Sequence, residues 1–94
     1  MAIQSYADHE TEDFHRNSVC PAPWRSFEKV ARRKLDMVDY AASLLDLRVP
    51  PGNRLEALKG NRKGQHSIRI NDQCRICFRW IDAGPEDVEI VDYH

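Results

Sequence analysis

The chain closes on an acid, a phenol and an imidazole, Asp92-Tyr93-His94, delivered by the strand-like run Asp87-Val88-Glu89-Ile90-Val91. Imidazole is the one side chain whose ordinary pKa, ~6.5, lets it take or give a proton near neutrality, so the trio points to acid–base chemistry. Chain ends are usually frayed and unused, and three chemically able residues there call for something to hold them. The segment just before them is the expected holder, because it alternates apolar with cationic side chains. Residues 48–79 carry 8 basic and 2 acidic side chains, against 6 and 8 in residues 1–47 and none and 5 in residues 80–94, beneath a net charge of -1. That central block suits a polyanion although the whole chain is nearly neutral.

The elements that position these residues are legible as patterns. Residues 2–7 alternate weakly and predict a short strand. Residues 8–17 predict a brief acidic helix, with Asp8 as its N-cap, Glu10, Glu12 and Asp13 near the positive end of the dipole, and Phe14 as its one large apolar anchor. Residues 18–23 form a linker. Trp24, Phe27, Ala31, Leu35, Val38, Ala42 and Leu45 then fall at spacings of three and four, which predicts one stripe of a long helix. Its opposite face carries Arg25, Lys29, Arg32, Arg33 and Asp36, read as a solvated face or, for Arg32 and Arg33, as part of a phosphate-contacting surface. Around residues 42–47 the helix is expected to yield to a turn, because Ser43 and Asp46 resemble a fresh cap, and residues 47–53 are loop, since Val49-Pro50-Pro51-Gly52-Asn53 cannot continue a helix.

Residues 54–58 predict a short strand leading into the Gly-bracketed, cationic turn Lys59-Gly60-Asn61-Arg62-Lys63-Gly64. Strands over 65–70, 74–81 and from 87 toward 93 follow, separated by turns at Asn71-Asp72 and Ala83-Gly84-Pro85. Alternation sets Ile68, Ile70, Cys74, Ile76, Phe78 and Trp80 toward a core and Arg69, Arg75 and Arg79 to the reverse side. The fold class is α+β: a short N-terminal strand, two helices and a curved antiparallel sheet, one side against the long helix and the other cationic.

Ninety-four residues make one domain, 1–94, large enough to fold without metal or disulfides. No apolar run approaches the ~18 residues needed to span a bilayer, and residues 1–17 lack the apolar centre of a secretory leader, so a cytoplasmic protein with no membrane association is expected. Cys20, Cys74 and Cys77 are odd in number, and the last two point to opposite faces of one strand, so they are read as small packing residues. No phosphate loop, dinucleotide fingerprint or metal-ligand spacing is present, and neither a cofactor nor a metal is expected. His9, His15 and His66 are assigned to surface or packing, and Trp24 and Trp80 to the core.

The segments Arg54-Leu55-Glu56-Ala57-Leu58-Lys59-Gly60, Gln65-His66-Ser67-Ile68-Arg69-Ile70-Asn71, Arg75-Ile76-Cys77-Phe78 and Val91-Asp92-Tyr93-His94 resemble HigB-type toxins of the RelE/ParE superfamily. The resemblance implies a RelE-like fold and a toxin of a type II toxin–antitoxin module. It further implies a ribosome-dependent endoribonuclease that cuts messenger RNA without a metal, neutralised by a HigA-like helix-turn-helix antitoxin. Lys59, Asp92, Tyr93 and His94 match functional positions of that family, and Arg75 an arginine beside the site. Glu56 stands where some members have histidine, so it either works as a base or hydrogen-bond acceptor or that role is absent; Cys74 stands where a tryptophan is common.

RNA cleavage requires a base for the 2′-hydroxyl proton, an acid for the departing 5′-oxygen and cations for the phosphorane between them. His94 is the expected acid or base, Asp92 its partner or the proton acceptor, and Lys59 with Arg75 the phosphate clamp. Tyr93, on the alternate face of an ideal strand, reaches the site only if the chain end twists, then stacking on a base or donating a proton. Arg54, Arg62, Lys63, Arg69, Arg79, Arg32 and Arg33 are expected to contact RNA or the ribosome. The rival is a non-catalytic gyrase poison of the ParE sort, on the same fold, whose basic face binds protein.

Overall fold

The computed structural model describes residues 2–93. Two helices, α1 (His9–Asn17) and α2 (Glu28–Tyr40), precede a sheet of four strands, β1 (Glu56–Ala57), β2 (His66–Arg69), β3 (Cys74–Ile81) and β4 (Gly84–Asp92), all antiparallel and in sequence order. This is the α+β architecture expected. The core lies between the helices and one sheet face, where Phe14, Ala31, Leu35, Val38, Ile68, Ile76, Phe78 and Val88 are fully buried. Among the described residues no helix is long and apolar enough to cross a membrane.

The N-terminal segment is less regular than its alternation predicts. It makes one parallel bridge, Tyr6 to Val88, and runs along the outer edge of β4 with Gln4 N–H donating to the Pro85 carbonyl at 2.7 Å and Ala7 N–H to the Val88 carbonyl at 2.9 Å. Helix α1 follows because the Asp8 carboxylate accepts the Thr11 N–H at 2.7 Å, and it stops where Ser18 turns left-handed and the Val19 N–H closes onto the Asp13 carbonyl. Thr11 is fully buried because its hydroxyl accepts the Ile90 N–H at 3.1 Å. Tyr6, His15 and Asp36 join the terminal segment, α1 and α2: the Tyr6 hydroxyl meets His15 Nδ1 at 2.6 Å and His15 Nε2 meets Asp36 at 3.0 Å.

The apolar stripe from Trp24 to Leu45 runs over three pieces, the last lying in the turn expected around residues 42–47. A 3-10 turn spans Ala22–Phe27, α2 runs only to Tyr40, and a second 3-10 turn covers Leu44–Arg48. The break at the far end has a local cause: Asp46 accepts the N–H groups of Ala42 and Ser43, the capping box that the sequence suggested. Leu45 consequently leaves the stripe and is exposed, while Ala41 and Leu47 enter the core. Trp24 still packs edge-on against Phe14, at 5.4 Å between centroids.

Strand β4 begins three residues earlier than its apolar run indicates. Pro85 pairs with Trp80 there, which a proline tolerates on an outermost strand. Between Cys77 and Arg79 the register shifts by a bulge; Asp87 sits at φ 52, and its N–H and that of Val88 are taken by Ser5.

Candidate active site

Strand pairing decides which side chains share the face turned away from the helices. Opposite Cys77 stand Ser67 on β2 and Glu89 on β4; opposite Arg75 stand Arg69 and Val91; Glu56 of β1 lies across from Ser67. Period-two alternation therefore gathers Glu56, Ser67, Arg69, Arg75, Cys77, Glu89 and Val91 on one surface, and Tyr93 continues the series two residues beyond Val91.

Arg75 is the best fixed of these. Its Nε donates to the hydroxyl of fully buried Ser67 at 2.7 Å, one Nη donates to the Arg54 carbonyl at 2.7 Å, and the Glu56 carboxylate lies 3.6 Å away. Two anchors at different nitrogens fix the guanidinium plane, and the nearby carboxylate offsets the like charge of Arg69 directly across the ladder. Arg69 has its own counter-ion in Asp72.

The chain end is held. The Tyr93 N–H donates to the Gln73 carbonyl at 2.7 Å, and the Gln73 turn is set by Asn71, whose side chain accepts the N–H groups of Gln73 and Cys74. The Tyr93 hydroxyl meets Cys77 Sγ at 3.4 Å, so its ring lies over the reverse face with 47% of the residue exposed. Burial of the hydroxyl, with the Cys77 thiol beside it, pushes the phenol's pKa up to about 12 against the pull of Arg62 and Arg75. Burial likewise raises the Cys77 thiol. Tyr93 is thus a hydrogen-bond donor at neutral pH, and Cys77 is an inert packing group.

The structure reverses the expected facing of the chain end. Tyr93, expected on the alternate face, stands on the cationic one without any unusual twist. Asp92, expected beside the imidazole in the site, pairs with Cys74 and follows the core-facing alternation of Ile90. Burial, and after it the charge of Asp92 across the ladder, raises the Cys74 thiol, and Asp92 itself is exposed at the strand's end. The reason is register: Val91 opposite Arg75 fixes the parity of Asp92 and Tyr93. His94 lies outside the described residues.

The other cations are dispersed. Arg62 is partly buried, donating to Glu89 at 2.6 Å and Gln65 at 3.0 Å, and the Glu89 bond raises its pKa further. Lys59 stands exposed at the start of the turn Gly60–Arg62, with exposed Lys63 just after it. Arg79 extends over Gly64, where any side chain would collide with its guanidinium. Arg54 is exposed in a left-handed conformation, φ 47. Arg33 is exposed on α2, whereas Arg32 lies over the Phe14 ring at 4.4 Å, bonded to Glu28 and the Phe14 carbonyl. Arg32 therefore braces the two helices away from the Arg75 face, contrary to the phosphate-contacting surface considered for it. Ser67 and Glu89 were not singled out from sequence, although alternation from Ile68 and Ile90 places both on the cationic face. Among the described residues no group of three or more His, Cys, Asp or Glu side chains gathers to hold a metal ion.

A small α+β fold, two helices on one face of a four-stranded antiparallel sheet, is what these elements define. The solved YoeB/ParE toxin from Agrobacterium tumefaciens aligns over 98% of this chain and 94% of its own, with a TM-score of 0.52 at 18% identity. The family described as RelE-like toxin of type II toxin-antitoxin system HigB matches residues 4–94, and the chain belongs to it. Toxin HigB-1 of Vibrio cholerae serotype O1 is 48% identical over 72 residues, 77% of this chain and 73% of that one. An uncharacterized protein of Haemophilus influenzae is 42% identical over 52 residues, 55% of this chain and 52% of its own length. As a type II toxin the protein has an antitoxin partner.

Proposed function

We propose that this toxin inhibits translation by cutting messenger RNA on the ribosome with its own acid and base groups. The observation that carries the reading is Arg75, immobilised between Ser67 and the Arg54 carbonyl with the Glu56 carboxylate and the Tyr93 phenol on the same face. A fixed cation beside a carboxylate is what attack by a 2′-hydroxyl on its own phosphodiester needs. Glu56 takes the hydroxyl proton, the oxygen bonds to phosphorus, and Arg75 stabilises the added negative charge. The bond to the 5′-oxygen then breaks, with His94 supplying the proton, leaving a cyclic phosphate and a 5′-hydroxyl end. Lys59 serves as a second cation. Tyr93, kept protonated, donates a hydrogen bond or stacks on a base. Asp92 is assigned to orienting the chain end rather than to proton transfer. Arg54, Lys63, Arg69 and Arg79 surround the face as backbone contacts, with Arg62 bracing it and Arg33 reaching the ribosome from α2.

The antitoxin on this reading is a HigA-like helix-turn-helix protein, and the site of action is the cytoplasm, where ribosomes are. The test is cleavage of messenger RNA on programmed ribosomes by the native protein, Glu56→Gln and His94→Ala side by side. New 5′ ends within codons, lost in both variants, are expected. Intact message together with gyrase-dependent DNA breaks would sink the reading in favour of a gyrase poison.

A further inference from the structure

Behind the Arg75 face lies a buried polar pair that the chemistry above does not touch. Lys34 projects from α2 and is 8% exposed; Asn53 is fully buried at the end of the loop Pro51–Asn53. The ammonium donates to Asn53 Oδ1. Burial, with the charges of Arg33 and Arg69 nearby, lowers the pKa of Lys34, so the cation stays at a position that disfavours it. An apolar side chain would fill that place at less cost, which makes the pair a feature to be explained.

What it organises is the loop ahead of β1. Asn53 Nδ2 donates to the Leu47 carbonyl at 3.2 Å and the Val49 carbonyl at 3.4 Å, and its main-chain N–H donates to the Pro50 carbonyl at 2.9 Å. The loop is thus wrapped around one amide, whose remaining acceptor is held by Lys34. The next residue is Arg54, a non-glycine at φ 47, whose carbonyl receives the Arg75 guanidinium at 2.7 Å. Left-handed backbone at such a residue persists only where its surroundings over-determine it. Released from Asn53, Arg54 is free to relax to negative φ, which would swing that carbonyl away from Arg75.

We propose that Lys34 and Asn53 are positioning residues for the cleavage reaction, clamping the 47–54 loop so that the Arg54 carbonyl aims the Arg75 guanidinium. The proposal rests on the ribonuclease reading, in which Arg75 acts only if correctly placed, and a displacement of about 1 Å is enough to cost ~100-fold in rate.

The experiment measures kcat and KM on programmed ribosomes for Lys34→Met and Asn53→Asp, each alone and combined with Arg75→Ala, together with the Arg75 Nε–H resonance by NMR. Asn53→Asp keeps the acceptor for Lys34 and loses both donors to the loop; Lys34→Met keeps the volume and loses the clamp. Each single variant is expected to lower kcat by about 10- to 100-fold with KM little changed. That loss should vanish in the Arg75→Ala background, and the Nε–H resonance should shift. A loss of equal size with and without Arg75, or a resonance unmoved in both variants, overturns the proposal. If the native protein cleaves nothing, the ribonuclease reading falls and the resonance alone decides the positioning. If one variant does not fold, the other carries the same two readouts.

Discussion

The two faces of the sheet are buried by opposite means. On the helix side Ile68, Ile76, Phe78 and Val88 are sealed by apolar packing against α1 and α2. On the other side Ser67 and Cys77 are equally inaccessible, yet their cover is polar: Arg75 over Ser67, Tyr93 against Cys77, and Arg62 with Glu89 beside them. The apolar face tolerates any close-packed set of the right volume, whereas the polar face depends on each donor finding one particular acceptor. On the ribonuclease reading proposed above, the contrast separates what keeps the chain folded from what acts on RNA.

The contrast breaks most visibly if the two faces respond alike to truncation. Phe78→Ala, emptying a fully buried site, should cost about 3–5 kcal/mol in urea unfolding, a large part of a small domain's stability. Arg75→Ala should lower cleavage about 100- to 1000-fold while costing about 1–3 kcal/mol of stability by leaving Ser67 unpaired, less than Phe78→Ala. Arg62→Met should cost about 1–3 kcal/mol by stranding the Glu89 carboxylate, and adding Glu89→Leu should recover most of it; a double variant worse than the single would show packing rather than pairing at work. The smallest effect is a pH signature. The folded Tyr93 phenol, at about 12, holds its proton where an unfolded one at 10.0 has lost it. Its contribution to stability is therefore complete below pH 10 and lost as pH rises toward 12. The tyrosinate absorbance difference between native protein and Tyr93→Phe should have its midpoint near pH 12, and a midpoint at 10 would place the ring in open water.

The same contrast explains what was readable in the sequence. Alternation in β2 and β3 identified the apolar face residue by residue, and Asp8 and Ser43-to-Asp46 announced their caps, because each signal is local. The stripe overstates α2 at its start, where Ala22–Phe27 is a 3-10 turn, whereas the turn expected around residues 42–47 is there, held by Asp46 through two backbone bonds. The polar face was half legible. Arg75 and Tyr93 stand out by type, but their facing follows only when alternation is counted on from Val88 and Ile90, which sets Asp92 toward the core side and Tyr93 on the reverse. Ser67 could have been found by counting from Ile68. Lys34 with Asn53 could not, since 19 residues separate them and a lysine on a charged helix gives no sign of facing inward.

The strip of main chain from Gln4 to Ala7, with the Thr11 hydroxyl after it, occupies hydrogen-bonding groups that β4 would otherwise offer to a neighbouring molecule. The other border of the sheet is β1, two residues long, one of them the charged Glu56. Neither border is a template long enough to recruit another copy of the chain. The chain without its antitoxin therefore presents, among its described residues, no long sheet border along which copies could stack.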